Sequence, residues 1–93
     1  GVDTTSPSTI GSSDLGKTLL YTVAGNKTLT SGLGIGSQFT VILDAGVTGG
    51  VNINRSGGET INGATFVTLN TDYAGATFVK CDTDAWFAVG LLA

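Results

Sequence analysis

The sequence predicts an all-β fold: a compact antiparallel β-sandwich or small barrel of six to eight short strands, preceded by an extended N-terminal arm. Three observations lead there. Gly63-Ala64-Thr65-Phe66-Val67 returns as Gly75-Ala76-Thr77-Phe78-Val79, followed by Ala85-Trp86-Phe87-Ala88-Val89. These runs of β-branched and aromatic residues, separated by Asn, Thr, Asp and Gly, read as a meander of three antiparallel strands. The segment Gln38 to Leu43 alternates, with Phe39, Val41 and Leu43 on one side and Gln38 and Thr40 on the other, so this strand is half buried and sets the core. The chain also holds 15 glycines against one proline, with no helical period over any useful length, which fits tight turns joining short strands.

Taken in order, residues 1–14 read as a flexible arm. Thr4, Thr5, Ser6, Ser8, Thr9, Ser12 and Ser13 surround Pro7, and only Val2 and Ile10 offer apolar anchors, too few to offset an ordering entropy of roughly 1–2 kcal/mol per residue. Such an arm either frays or orders when it docks on another subunit. Residues 15–93 form the single domain expected of a chain of 93 residues. Within it, Leu19, Tyr21 and Val23 share one face of a strand, and Ala24-Gly25-Asn26-Lys27 turns into Thr28-Leu29-Thr30. After the bend Gly32-Leu33-Gly34-Ile35-Gly36 comes the strand of Phe39. A loop, Asp44 to Gly50, leads to a strand with Val51 and Ile53 on one side and Asn52 and Asn54 on a wet one.

Arg55 to Gly58 is a turn, and Thr60 to Gly63 adds a short extended piece. In the meander, Thr65, Val67 and Leu69 should lie with Thr77, Val79 and Cys81, while Phe66 lies with Phe78 on the opposite face and Trp86 opposes Phe87 and Val89. Both faces would then carry large apolar groups, which monomers seldom expose. A second sheet or a neighbouring copy should cover one of them.

Composition narrows the function. Apolar residues make up 41% and charged residues 12% of the chain, well below the usual quarter for charge, and a 9.3 kDa chain buries a marginal share of its surface alone. A partner subunit would help. Net charge is −3, and Lys17, Lys27, Arg55 and Lys80 are scattered, so no basic stripe drives nucleic-acid binding. Apolar runs of a few residues, without a charged leader, predict neither a membrane span nor a retained signal peptide. Cys81 is the single cysteine and is expected to be a buried, inert thiol.

Candidate chemistry is sparse. Gly11-Ser12-Ser13-Asp14-Leu15-Gly16-Lys17-Thr18 matches the phosphate-loop pattern, but it follows a polar arm and runs into strand formers, whereas that loop must open a helix. The chain has no histidine, removing the commonest general base and metal ligand. Asp82 and Asp84 flank a turn and are expected to bond their own backbone. Pairing Glu59 with an aspartate for glycoside cleavage is not favoured by any spacing. Tyr73 and Trp86 are read as packing aromatics. The sequons at Asn26 and Asn54 matter only in a eukaryotic secretory pathway. No enzyme, cofactor or metal is expected.

The segment Ser56-Gly57-Gly58-Glu59-Thr60-Ile61-Asn62-Gly63-Ala64, with Val67-Thr68-Leu69, Tyr73-Ala74 and Asp82-Thr83-Asp84 leading into Trp86, resembles a module of bacteriophage virion proteins, both small capsid decoration proteins and tail-fibre tips. The likeness covers about a third of the chain and is specific to a fold more than to a task. The glycine that the pattern carries in the turn before the tryptophan is absent here, which implies another turn type. The resemblance implies a capsid decoration (cement) protein on the outer surface of a virion, a homotrimer bound to the major capsid protein; the alternative is a receptor-binding module of a tail fibre or spike. On that reading Val2, Pro7 and Ile10 of the arm contact the capsid, and Phe66, Phe78, Trp86 and Phe87 serve core or oligomer packing. An arm and one domain, read as the whole chain, favour the head over the fibre.

Overall fold

The computed structural model describes residues 1–47 and 49–90. Position 48 in the expected 44–50 loop and the expected domain end at 91–93 lie outside the described residues. The described chain is all-β but for one 3-10 turn at Ser12–Asp14. Its ten strands are β1 (Val2–Asp3), β2 (Thr9–Ile10), β3 (Thr18–Tyr21), β4 (Gly25–Leu29), β5 (Gln38–Leu43), β6 (Val51–Asn54), β7 (Thr60–Ile61), β8 (Phe66–Leu69), β9 (Gly75–Asp82) and β10 (Ala85–Gly90). Seven of them have four residues or more. They form a six-stranded sheet ordered β1-β3-β5-β9-β10-β7 and a four-stranded sheet ordered β2-β4-β6-β8.

Antiparallel pairing, expected throughout, holds only toward the C-terminus. In the first half the chain alternates between sheets, so β1, β3 and β5 stack in parallel in one and β2, β4 and β6 in the other. Parallel neighbours need a long crossover, and here each crossover is a strand of the opposite sheet. The result is a solenoid-like coil of three rungs. Then β8 pairs antiparallel with β6, β9 with β5, and β10 with β9, closing the coil at its C-terminal end, and β7 runs parallel to β10 at the far edge.

The expected meander is thereby divided. β9 and β10 form a hairpin in the larger sheet, while β8 belongs to the smaller one. Residues 1–14 are likewise not a free arm but the first rung. Thr18 donates its backbone N–H to the Gly1 carbonyl at 2.9 Å, Thr28 to Ser8 at 2.9 Å and Thr30 to Ile10 at 2.9 Å, and the Tyr21 hydroxyl donates to the Pro7 carbonyl at 2.8 Å. A ladder of backbone bonds and one inward isoleucine offset the ordering entropy that two apolar anchors alone would not.

Both sheets face one core. Ile10, Leu29, Val51, Ile53 and Leu69 enter from the smaller sheet and Leu19, Tyr21, Phe39, Val41, Leu43, Phe78 and Trp86 from the larger. The expected one-sided strands are found, with Leu19 and Tyr21 inward on β3, Phe39, Val41 and Leu43 on β5, and Val51 and Ile53 on β6; Val23 lies beyond β3 and is exposed. Phe39 and Phe78 stack with centroids 4.9 Å apart and planes 5° apart, and Trp86 meets Phe39 edge-on at 5.6 Å, an arrangement that adds to plain burial.

Candidate functional site

The most elaborate polar constellation forms where the 32–36 bend crosses the open end of the aromatic cluster. Glu59, placed by the turn before β7, accepts the indole N–H of Trp86 on Oε1 at 3.0 Å. Its Oε2 accepts the Lys80 ammonium at 3.1 Å and the backbone N–H of Gly32 at 3.1 Å. Lys80 also donates to the Leu33 carbonyl at 2.6 Å. Glu59 is 5% and Lys80 3% exposed, so this is a buried ion pair whose remaining capacity is met by hydrogen bonds. Burial alone would raise the Glu59 pKa, but the Gly32 amide, Lys80 and Trp86 outweigh it and hold the carboxyl below its ordinary value. A carboxylate so engaged is an anchor. General acid–base work would need it free to exchange a proton near neutral pH.

Beside this node, Asn62 and Gly63 form a two-residue turn with φ of 52° and 77°, between Ile61 and Ala64, which exchange both backbone hydrogen bonds at 2.9 Å. Two successive left-handed residues define the primed hairpin turn that Asn-Gly favours. The Asn62 side chain then mimics a strand: Oδ1 accepts the Ala88 N–H at 2.9 Å and Nδ2 donates to the Ala88 carbonyl at 3.1 Å. Across the β9–β10 turn, none of Asp82 to Trp86 has a positive φ. A register shift between Ala85 and Trp86 supplies the local twist instead, which is why the turn manages without the expected glycine.

The candidate residues separate into inner and outer sets. Ile10, Phe78 and Trp86 are fully buried. This corrects the assignment of Ile10 to an outward contact, because on β2 it points into the core beside its register partner Leu29. Val2 is exposed and Pro7 half-buried. Phe66 and Phe87 are both about half exposed, on the outer faces of different sheets, so Phe66 and Phe78 do not share the face expected of them. Cys81, expected buried, is exposed, because β9 turns Phe78 and Lys80 inward and Cys81 falls on the other side.

The phosphate-loop look-alike folds as the 3-10 turn followed by β3, with the Gly11 N–H bonded to the Asp14 carboxylate at 2.9 Å. Thr83 donates its N–H to the Asp82 carboxylate at 2.7 Å, as a turn aspartate does. Exposed Tyr73 sits in the turn before β9 with φ of 62°, so the packing role expected for it is not seen, while Trp86 packs as expected. Among the described residues no three His, Cys, Asp or Glu gather as a metal site would require.

Two features escaped the sequence reading. One is Lys80 as an inward cation, although its parity with Ala76 and Phe78 on β9 was the available signal. The other is the outer face of the smaller sheet, where Asn52 donates to Asn26 at 3.0 Å and accepts from the Thr68 hydroxyl at 2.7 Å. That side-chain ladder requires the parallel β4–β6 register. Among known proteins, no family model matches the chain and no curated protein is significantly similar to it.

Proposed function

We propose that this is a non-catalytic structural virion protein, a capsid decoration protein that self-associates on the outer surface of a phage head and stabilises contacts between capsomers. One observation carries the reading. Two of the stretches that resemble phage virion modules, Ser56–Ala64 and Asp82–Trp86, are far apart in sequence yet meet through the Glu59–Trp86 bond and the β7–β10 pairing. Their meeting in space supports reading the likeness as a module. The two sheets are read as the layers of a compact sandwich, with exposed Val2 and half-buried Pro7 on the first rung as capsid-facing residues and the major capsid protein as partner. A bound cement protein stabilises by mass action, since it binds the closed lattice and not the opened one.

The runner-up is a tail-fibre or spike module that binds host polysaccharide. It is favoured by the uncharged ladder of Asn26, Asn52 and Thr68 beside exposed Phe66, a pairing of amide donors with an aromatic platform that suits neutral sugars. Adding the purified protein to stripped phage capsids separates the two. Saturable binding with a raised disruption temperature is the expected result; no capsid binding, with saturable binding to host cells, overturns it in favour of the fibre.

A further inference from the structure

We propose that the outer face of the six-stranded sheet is a self-complementary interface on which a second copy of this chain packs, sheet against sheet, about a twofold axis. The inference deepens the self-association part of the proposed function, puts a twofold pair in place of the homotrimer that the resemblance implies, and rests on that reading only in taking the chain to meet copies of itself. Outward positions on β3, β5, β9 and β10 alternate with the buried ones and carry Leu20, Ile42, Val79, Phe87 and Val89 among threonines and Gln38. Register joins them into rows, with Phe87 beside Val79 and Val79 beside Gln38, and with Leu20 beside Ile42. Val89 is 75% and Phe87 46% exposed. A one-layer solvent face is ordinarily polar.

Outward side chains of Thr18–Tyr21, Gln38–Leu43, Gly75–Cys81 and Ala85–Val89 are uncharged; charge begins with exposed Asp82, the last residue of β9, and with Lys17 before β3. That matters for the choice of occupant. The chain carries a net charge of −3, so two copies meet with least repulsion where outward charge is sparse, and a twofold contact uses the same patch on both copies. Thr40 and Thr77 already bond each other at 3.1 Å, so covering them leaves one hydroxyl proton for the second copy to accept.

The two longer extents of the molecule, 35 and 26 Å, bound any one face at about 900 Å², so a contact with the roughly 800 Å² per partner of a standard interface would have to use most of the six-stranded face.

The test combines sedimentation velocity over a concentration series with alkylation of Cys81, which lies on this face one alternation beyond Val79. The wild type should sediment as a dimer with Cys81 protected from N-ethylmaleimide. Val89→Lys, at a position exposed enough to be tolerated, brings a cation from each copy into the apolar contact; it should raise the dimer dissociation constant about a hundredfold and restore Cys81 labelling. Phe66→Ser, on the opposite face, should change neither. Thermal melts identify any variant that fails to fold, and Val79→Lys then stands in for it. A monomer at every concentration, a trimer, or a dimer indifferent to both lysine variants overturns the proposal. Binding to stripped capsids is read independently, so the capsid contact and this interface fail separately, although a monomer at every concentration also removes the self-association from the proposed function.

Discussion

Replacing Glu59 by alanine should be among the most damaging single changes available, and the structure says why. The substitution leaves the Lys80 ammonium, 3% exposed, with the Leu33 carbonyl as its remaining protein partner. It also strips the Trp86 indole N–H and the Gly32 amide of their acceptor. Removing one member of a buried pair costs roughly 3–5 kcal/mol. A chain of this length is stable by roughly 5–14 kcal/mol, so about a fifth or more of the total disappears, and Tm falls on the order of 20 °C. The orphaned cation is the larger part of that loss. Adding Lys80→Met to Glu59→Ala should therefore recover about 2 kcal/mol, leaving the cost of the two unpaired N–H groups and of the Leu33 carbonyl, which loses its Lys80 donor. Urea denaturation followed by the fluorescence of Trp86, the only tryptophan and fully buried, measures both variants. A loss under about 1 kcal/mol for the single variant, or a double variant no more stable than it, would refute the assignment of this pair as the anchor of the core's open end.

The same node sets the acid limit of stability. The folded state holds the Glu59 pKa below its ordinary 4.5, so its contribution is complete above that value and is lost as pH falls through the depressed folded value. Urea midpoints of the wild type should fall below about pH 4.5, and Glu59→Gln, already weakened at neutral pH, should flatten that slope; an unchanged slope would exclude Glu59 as its source. At the neighbouring turn, Asn62→Ala loses both side-chain bonds to Ala88 and strains a left-handed residue, for about 2–4 kcal/mol in total. Asn62→Gly loses the bonds but relaxes the φ of 52°, and should be the milder by about 1 kcal/mol in urea titrations; equal losses would show that the backbone conformation contributes nothing.

Where a strand has one wet and one buried face, its residues announce it. β5 and β6 were legible because Phe39, Val41 and Leu43, and then Val51 and Ile53, alternate with polar neighbours, and period two with one-sided burial fixes both strand and face. The coil was not legible. Its rungs share no repeated motif, and β1, β2 and β7 are two residues long, so the parallel stacking is specified by registers between distant segments. Thr60 to Gly63 reads as a short extended piece, which holds for Thr60–Ile61, but the turn at Asn62-Gly63 was not seen. Nor were its side-chain bonds to Ala88, because they depend on β7 crossing to the far edge of the larger sheet. For the candidate site the pattern is the same. Glu59 and Trp86 were each singled out, but the partner that joins them to the core, Lys80, reads as a surface lysine until its strand is oriented.

The repeated pentapeptide shows where local sequence stops deciding. Phe66 and Phe78 sit in identical contexts, Gly-Ala-Thr-Phe-Val, yet Phe66 is 48% exposed and Phe78 fully buried. Propensity makes both segments strands, but the face each residue takes depends on which sheet receives the strand and in which register, and a shift of one position reverses every side chain. β8 leaves the primed turn to pair Val67 with Ile53 and Leu69 with Val51, filling the inner row of the smaller sheet and turning Phe66 outward. β9 instead sets Phe78 opposite Phe39, where the two rings stack. The apolar surplus that predicted self-association is therefore divided between two opposite surfaces, Phe66 on one and Phe87 with Val89 on the other. The two surfaces differ in chemistry: on the second Phe87 lies beside Val79 in one apolar row, the row on which the proposed contact between copies rests, whereas on the first Phe66 lies beside a ladder of hydrogen-bonded Asn26, Asn52 and Thr68.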